Sequence, residues 1–161
     1  MHNKTQQTAN ENSSQYLTFK INHEEYGIDI MLIREIKAYI KPARLPNAPD
    51  YLLGVVNLRG VIIPVYDLKI RFGIKDSVNE KKKVMLFIAC KEKTVCLLVD
   101  SVSDIIDVIA TQIQPAPKME GGVHDEYLNG LVNLTGRMVV LLDSEKIFSD
   151  ESQLANEARS A

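Results

Sequence analysis

One block of sequence occurs twice, and that repeat constrains the fold more than any other feature. Gly54, Asn57, Leu58, Gly60 and Asp67 recur as Gly130, Asn133, Leu134, Gly136 and Asp143, each 76 positions later. Tyr51-Leu52 recurs as Tyr127-Leu128 at the same offset. Upstream the offset is 69: Gly27 lies over Cys96, Ile33 over Val102, Glu35 over Asp104, Ile36 over Ile105 and Pro46 over Pro115. The difference in offset corresponds to a longer loop in the second copy, from Lys118 to His124. Each half therefore holds an apolar hairpin, an Ile/Val-x-Glu/Asp-Ile element, a proline break and an Asn-Leu-x-Gly hairpin.

Local chemistry agrees with a strand-rich unit. Tyr16–Ile21 and Tyr26–Ile30 are rich in β-formers and flank a polar turn. Tyr51 to Leu68 reads as two strands about a turn at Asn57–Gly60, where Gly supplies the positive φ that such turns often need. Pro64 inside the second of these predicts an edge or a bulge. Val84–Cys90, Thr94–Val99 and Ser101–Ile109 are further strands. Ile30, Ile33 and Ile36 recur at three-residue spacing, which predicts one or two helical turns leading into a strand near Tyr39. On that reading Ile30 and Ile36 are mostly buried, while Ile33 and Glu35 are more available. Lys69 to Lys83 reads as a polar connection, with Lys81-Lys82-Lys83 as a solvated loop. Ser144 is placed to cap a final helix running to about Phe148.

One such half buries little core alone. The expected fold is all-β: one body made of two pseudo-symmetric small barrels, with little helix. Residues 1–15, rich in Asn, Gln, Thr and Ser, form an expected disordered tail. The domain spans 16–150, and 151–161 is a helical extension or frayed end.

The 161 residues carry a net charge of −2, with 45% hydrophobic residues. That balance offers nucleic acid or an anionic membrane no general attraction. The N-terminus lacks the apolar core of a signal peptide, and no apolar run reaches the length of a bilayer span. Cys90 and Cys96 are too few for a disulfide framework, and a cytoplasmic setting is expected. They are placed to face one another across a hairpin, but behave more simply as two small hydrophobes.

Catalysis is not expected. His2, His23 and His124 stand alone, without a second ligand at metal spacing, so neither a metal nor a cofactor is expected. Gly54–Gly60 is followed by no Gly-Lys-Ser/Thr, and there is no Gly-x-Ser-x-Gly elbow. Asp29, Asp67, Asp100 and Asp143 fall at strand ends, where turn and capping roles are the default.

Comparing the copies separates scaffold from function. Gly54, Asn57 and Gly60, with Gly130, Asn133 and Gly136, are needed twice and are turn residues. Arg59 against Thr135 is the clearest mismatch. An Arg at a turn projects a planar fork suited to a carboxylate partner.

The residues Tyr26-Gly27-Ile28-Asp29-Ile30, Glu35-Ile36, Pro46-x-x-Pro49, Gly54-Val55-Val56-Asn57-Leu58-Arg59-Gly60 and Gln114-Pro115-x-Pro117 together resemble the CheW-like family. The family comprises the bacterial chemotaxis coupling proteins, the regulatory end of the histidine kinase CheA, and CheV. The likeness runs from about Tyr16 to Phe148, and a chain of this length favours the stand-alone coupling protein. The resemblance implies two intertwined five-stranded SH3-like barrels. It implies an adaptor, monomeric when free, that joins the cytoplasmic tips of methyl-accepting chemoreceptors to the CheA regulatory domain in membrane-associated arrays. It assigns Ile33, Glu35, Ile36 and Arg59 to a receptor-facing surface, and the second barrel to the kinase. Met119, in the variable loop, is a candidate array contact. The competing reading is a small barrel that binds a ligand or single-stranded nucleic acid. It needs clustered surface aromatics on a basic face, and the chain has four Phe, six Tyr and no Trp.

Overall fold

The computed structural model describes residues 13–71, 82–115 and 128–148. Eleven strands run in chain order: β1 (Ser13–Ile21), β2 (Glu24–Asp29), β3 (Ile33–Ala38), β4 (Leu52–Leu58), β5 (Val61–Asp67), β6 (Val84–Cys90), β7 (Lys93–Val99), β8 (Ser101–Ile109), β9 (Ile113–Gln114), β10 (Leu128–Leu134) and β11 (Arg137–Leu142). They form a six-stranded sheet, β8-β1-β2-β11-β10-β9, and a five-stranded sheet, β3-β6-β7-β5-β4. The chain divides into two compact units. Among the described residues, one holds 13–18, Glu25–Met31 and those from Asp104 onward; the other holds Phe19–Glu24 and those between Leu32 and Ser103.

Both sequence offsets reappear in the strand pairing. β11 runs parallel to β2 with Leu141 opposite Gly27, and β5 runs parallel to β7 with Val65 opposite Cys96. Val65 and Leu141 are 76 apart, and Gly27 and Cys96 are 69 apart. Each sheet thus takes an apolar hairpin from one half and an Asn-Leu-x-Gly hairpin from the other. The halves are intertwined through exchanged strands, so neither repeat builds its sheet from its own residues.

The expectation of two five-stranded barrels needs correction. The sheets have six and five strands, and among the described residues no ladder joins β8 to β9 or β3 to β4. The unequal count has a local cause. In one unit β9 pairs with β10 at Gln114↔Leu131. In the other, the matching stretch makes one isolated bridge, Ala43↔Val55, and does not extend into a strand.

Each unit has its own apolar core. In the six-stranded unit it is Ile106, Val108, Val132, Val139 and Leu141, with Tyr16 packed against it. In the five-stranded unit it is Val56, Ile63, Val65, Met85, Phe87, Cys96 and Leu98. Burying each such side chain contributes roughly 1.5–3 kcal/mol.

The helical expectation for Ile30–Ile36 fails after one turn. Ile30–Leu32 is a 3-10 turn, and Ile33–Ala38 is β3. Pairing with β6, from Ile33↔Ile88 to Ala38↔Val84, outweighs the three-residue spacing, because ladder bonds and packing override local periodicity. Pro64 lies on an interior strand, not an edge. The ladder to β7 begins one residue later, at Val65, and the bulge falls on β4 between Leu52 and Gly54. Leu68–Arg71 forms a helical turn inside the stretch read as a connection. Residues 144–148 are helical, but Asp143 supplies the cap, accepting the Glu145 and Lys146 N–H groups at 3.0 and 3.3 Å. Ser144 is buried.

Cys90 pairs with Lys93 and Cys96 with Phe87, so the thiols do not face one another. Both are buried, and burial pushes the Cys96 thiol up to about 12. A thiolate is the reactive form. The folded protein should therefore resist Ellman's reagent, and both thiols should react after denaturation. Rapid native labelling of Cys96 would contradict this packing.

Candidate protein-interaction surface

In the five-stranded unit, the β4–β5 turn is a two-residue loop with Arg59 at φ 52° and Gly60 at φ 85°. Two left-handed residues match the right-handed twist of the flanking strands. The Asn57 side chain accepts the Gly60 N–H at 2.8 Å, which gives the Asn-x-x-Gly spacing a physical role in this turn. The turn carries Arg59 to the β3 carboxylate: Nη1 donates to Glu35 Oε2 at 2.9 Å and Nη2 to Oε1 at 3.1 Å. Lys37 adds a second cation 3.6 Å from Glu35 Oε1. The fork expected to reach an outside carboxylate is thus engaged by Glu35 of the same unit. The Arg59 side chain is 75% exposed and that of Glu35 21%, so the pair contributes less than about 1 kcal/mol to stability.

Apolar side chains share this unit's surface: Ile36 (46% exposed), Val61 (57%) and Ile62 (55%). Ile33 and Ile30 are half-buried. The expected burial of Ile36 is therefore wrong. Glu35 pairs with the core residue Phe87 and Ile36 with Leu86, so alternation along β3 turns Ile36 away from that core.

The six-stranded unit has a counterpart that the sequence comparison did not reach. Asp104, the residue over Glu35, is also held by an arginine, but by Arg137 and not by a residue at the turn. Arg137 Nη1 and Nη2 donate to the two Asp104 oxygens at 3.1 and 2.8 Å. Its Nε donates to Glu25 Oε1 at 2.9 Å, and Nη2 reaches the same oxygen. Thr18 Oγ1 donates to Asp104 Oδ1 at 2.5 Å. Residues two apart on a strand share a face. Thr18 therefore sits on the side of Tyr16, Asp104 on that of Ile106, and Arg137 on that of Val139. Glu25 shares its face with Gly27, where an added Cβ would meet Leu141 at 3.0 Å and Val139 at 3.3 Å. One residue from each of four neighbouring strands, β8, β1, β2 and β11, thus forms a polar layer beside the core. Thr135, aligned with Arg59, occupies the same left-handed turn position at φ 46°; the guanidinium comes from two residues further on. The available signal was an arginine two residues beyond the turn position, at the start of β11.

Hydrogen bonds from Arg137, then from Thr18, hold the Asp104 carboxyl down to about 2 from an ordinary 3.8. A carboxyl depressed in the folded state stabilises above its unfolded value, and that contribution is lost as pH falls through the folded value. Stability should decline between about pH 4 and pH 2, and Arg137→Met should flatten this decline, as read from denaturation midpoints across that range. An unchanged slope would contradict the assignment.

Asp29, Asp67 and Asp143 take the expected turn and capping roles, whereas Asp100 reaches the distant β1–β2 turn. Asp29 accepts the Met31 N–H at 3.0 Å, Asp67 that of Lys69 at 2.9 Å, and Asp100 that of Asn22 at 2.6 Å. Two of them also pair with buried lysines: Lys69 Nζ lies 2.5 Å from Asp100 and Lys83 Nζ 3.9 Å from Asp67. Lys83 is buried, correcting the solvated-loop reading at that residue. Among the described residues no group of three His, Cys, Asp or Glu is placed to hold a metal, and no helix is long and apolar enough to cross a membrane. Met119, His2 and His124 lie outside the described residues.

Comparison with known proteins agrees with this architecture. Residues 15–152 match the CheW-like domain model. The chain is 40% identical over 137 residues to the chemotaxis protein CheW of Klebsiella aerogenes, covering 85% of this chain and 82% of that one. It is 34% identical over 149 residues to a probable chemotaxis protein CheW of Rhizobium etli, covering 92% and 96%. The crystal structure of the scaffolding protein TtCheW from Thermoanaerobacter tengcongensis superposes with a TM-score of 0.78 at 27% identity, covering 84% of this chain and 92% of that one. The chain therefore belongs to the CheW-like domain family, a family of chemotaxis scaffolds rather than enzymes.

Proposed function

We propose that this chain is a cytoplasmic, non-enzymatic adaptor, monomeric when free. It couples the cytoplasmic tips of methyl-accepting chemoreceptors to the regulatory domain of the histidine kinase CheA in membrane-associated arrays. The observation that carries this reading is the clasp of Arg59 on Glu35 in a unit that also exposes Ile36, Val61 and Ile62. A rigid charged pair with apolar area on the same unit suits an amphipathic receptor helix. Apolar anchors supply affinity, and charges set register and partner choice. On this reading Ile33, Glu35, Ile36 and Arg59 face the receptor, and Glu35 presents a guanidinium already held in shape, which lowers the ordering cost of docking. Gly54, Asn57 and Gly60 shape the β4–β5 hairpin that carries this surface, and Gly130, Asn133 and Gly136 shape the matching β10–β11 hairpin of the other unit. Met119 belongs to the same proposal as a contact between adaptors or kinases in the array.

Pull-down of the full chain with a receptor signalling-tip fragment and with the kinase regulatory domain tests this function. Capture of both is expected. Failure to bind either would overturn it. Loss of kinase incorporation into receptor arrays in Met119→Ala, with soluble binding intact, is the expected signature of an array contact.

A further inference from the structure

The proline-rich segment between β3 and β4 walls a groove of about 610 Å³ in the five-stranded unit, a volume in the range of ligand-binding clefts. Its walls are preformed. Ala43 and Val55 exchange both backbone hydrogen bonds at 2.8 Å, and Leu52 N–H donates to Pro49 O at 3.0 Å. Pro42 and Pro49 fix their own φ. A rigid groove loses little entropy when it is filled.

Its lining combines apolar side chains with two cations. Tyr39, Leu52 and Leu53 line it with Leu45, which is exposed. Lys41 and Arg44 also line it, both exposed, and no hydrogen bond or ion pair joins either to another described residue. By contrast, Arg59 and Arg137 are engaged by carboxylates of their own units. Asp50 is the one carboxylate on the wall, which leaves the lining with a net positive charge.

The repeat sharpens this. At the offset of 69, Lys41 lies over Ala110 and Arg44 over Ile113; at the offset of 71 set by the Ala43 and Gln114 pairings, they lie over Gln112 and Pro115. Under neither alignment does the other half carry a cation. The architecture needs the strand pairing twice and these two charges once.

We propose that this groove docks a short, extended acidic peptide segment of a partner protein. One apolar side chain sits against Leu45, Leu52 and Leu53, and carboxylates on either side of it pair with Lys41 and Arg44. A peptide fits better than a free anion because the groove that holds the two cations also holds apolar side chains that an inorganic ion leaves uncovered. The Glu35–Arg59 surface plays no part in this docking, and receptor binding can fail or succeed without bearing on it.

Titration of the full ¹⁵N-labelled chain with a blocked Glu-Glu-Leu-Glu-Glu peptide tests the proposal by amide chemical shifts. Saturable shifts at Tyr39, Arg44, Leu45, Leu52 and Leu53 are expected. Lys41→Glu/Arg44→Glu should weaken binding by roughly tenfold or more, the scale of losing a charge-assisted bond, with an unchanged melting temperature. Leu45→Ser, which keeps both charges, should also weaken it. The proposal is overturned if the peptide causes no saturable shifts or if the charge-reversed variant binds equally well. A Lys-Lys-Leu-Lys-Lys peptide, or sodium acetate at matched carboxylate concentration, reproducing the same shifts would also overturn it.

Discussion

Gly54→Ala should lower stability by about 3 kcal/mol or more, the scale of a forced steric clash combined with backbone strain. Gly54 has φ 149°, and a Cβ there would lie 2.7 Å from the Ala43 carbonyl carbon and 3.1 Å from Pro42 Cβ, with the Ala43 oxygen closer still. Those atoms are backbone and proline ring, so they cannot turn aside as a flexible side chain would. The clash also falls on the Ala43–Val55 bridge, where both 2.8 Å hydrogen bonds must shift together. Gly130→Ala should follow closely: φ is 147°, and the Cβ would lie 2.6 Å from both Gln114 O and Ile113 Cγ2. Gly60→Ala and Gly136→Ala should cost only about 1 kcal/mol. Their φ values of 85° and 83° are equally left-handed, yet nothing lies within 4 Å of the added atom. Urea denaturation of the four variants checks the order. At about 2–4 °C per kcal/mol, Gly54→Ala should also melt well below Gly60→Ala. Equal losses at Gly54 and Gly60 would mean that strain alone matters, and not the close crossing of the chain.

These four glycines show which parts of the fold were legible before any coordinates. Their recurrence at one offset identified both hairpins and the pseudo-symmetry. The same offsets then recur in the parallel pairs Val65↔Cys96 and Leu141↔Gly27. Topology was legible because glycine at a left-handed turn and alternating apolar residues are both dictated locally. The strand at Ile33–Ala38 was not, because Ile30, Ile33 and Ile36 fit a helical spacing as well as a strand, and only pairing with β6 decides between them. The open sheets were not legible either: whether Ala43 starts a strand or makes a single bridge depends on its partner. Within the candidate surface, Arg59 was recognised as once-only, but its carboxylate was sought on another molecule. The sequence distance from Glu35 hides that a two-residue turn returns the guanidinium to β3. Arg137 escaped because the repeat sets Thr135 against Arg59 and Arg137 against Val61, so an arginine entering from the first position of β11 does not register as the counterpart of Arg59.

Glu35→Lys is the second large effect, and it should appear in binding and not in folding. The substitution places an ammonium among Arg59 and Lys37, which are 2.9 and 3.6 Å from the present carboxylate. It releases the Arg59 fork and reverses the local charge. Because Arg59 is mostly exposed, solvent screens the repulsion, and the loss of stability should stay within about 1 kcal/mol. Docking should suffer far more, since a like-charge encounter at an interface costs several kcal/mol. Arg59→Ala removes the same clasp without adding repulsion and should give a smaller loss of the same sign. Ile36→Asp should weaken docking through apolar area, leaving the clasp intact.

The most direct measurement is calorimetric titration of a receptor signalling-tip fragment onto the wild-type chain, Arg59→Ala and Glu35→Lys, paired with thermal melting of each. The account predicts at least roughly tenfold weaker binding for Arg59→Ala, a larger loss for Glu35→Lys, and melting temperatures within a few degrees of wild type. Unchanged affinity in both variants, or a collapse of thermal stability that accounts for the lost binding, would contradict it.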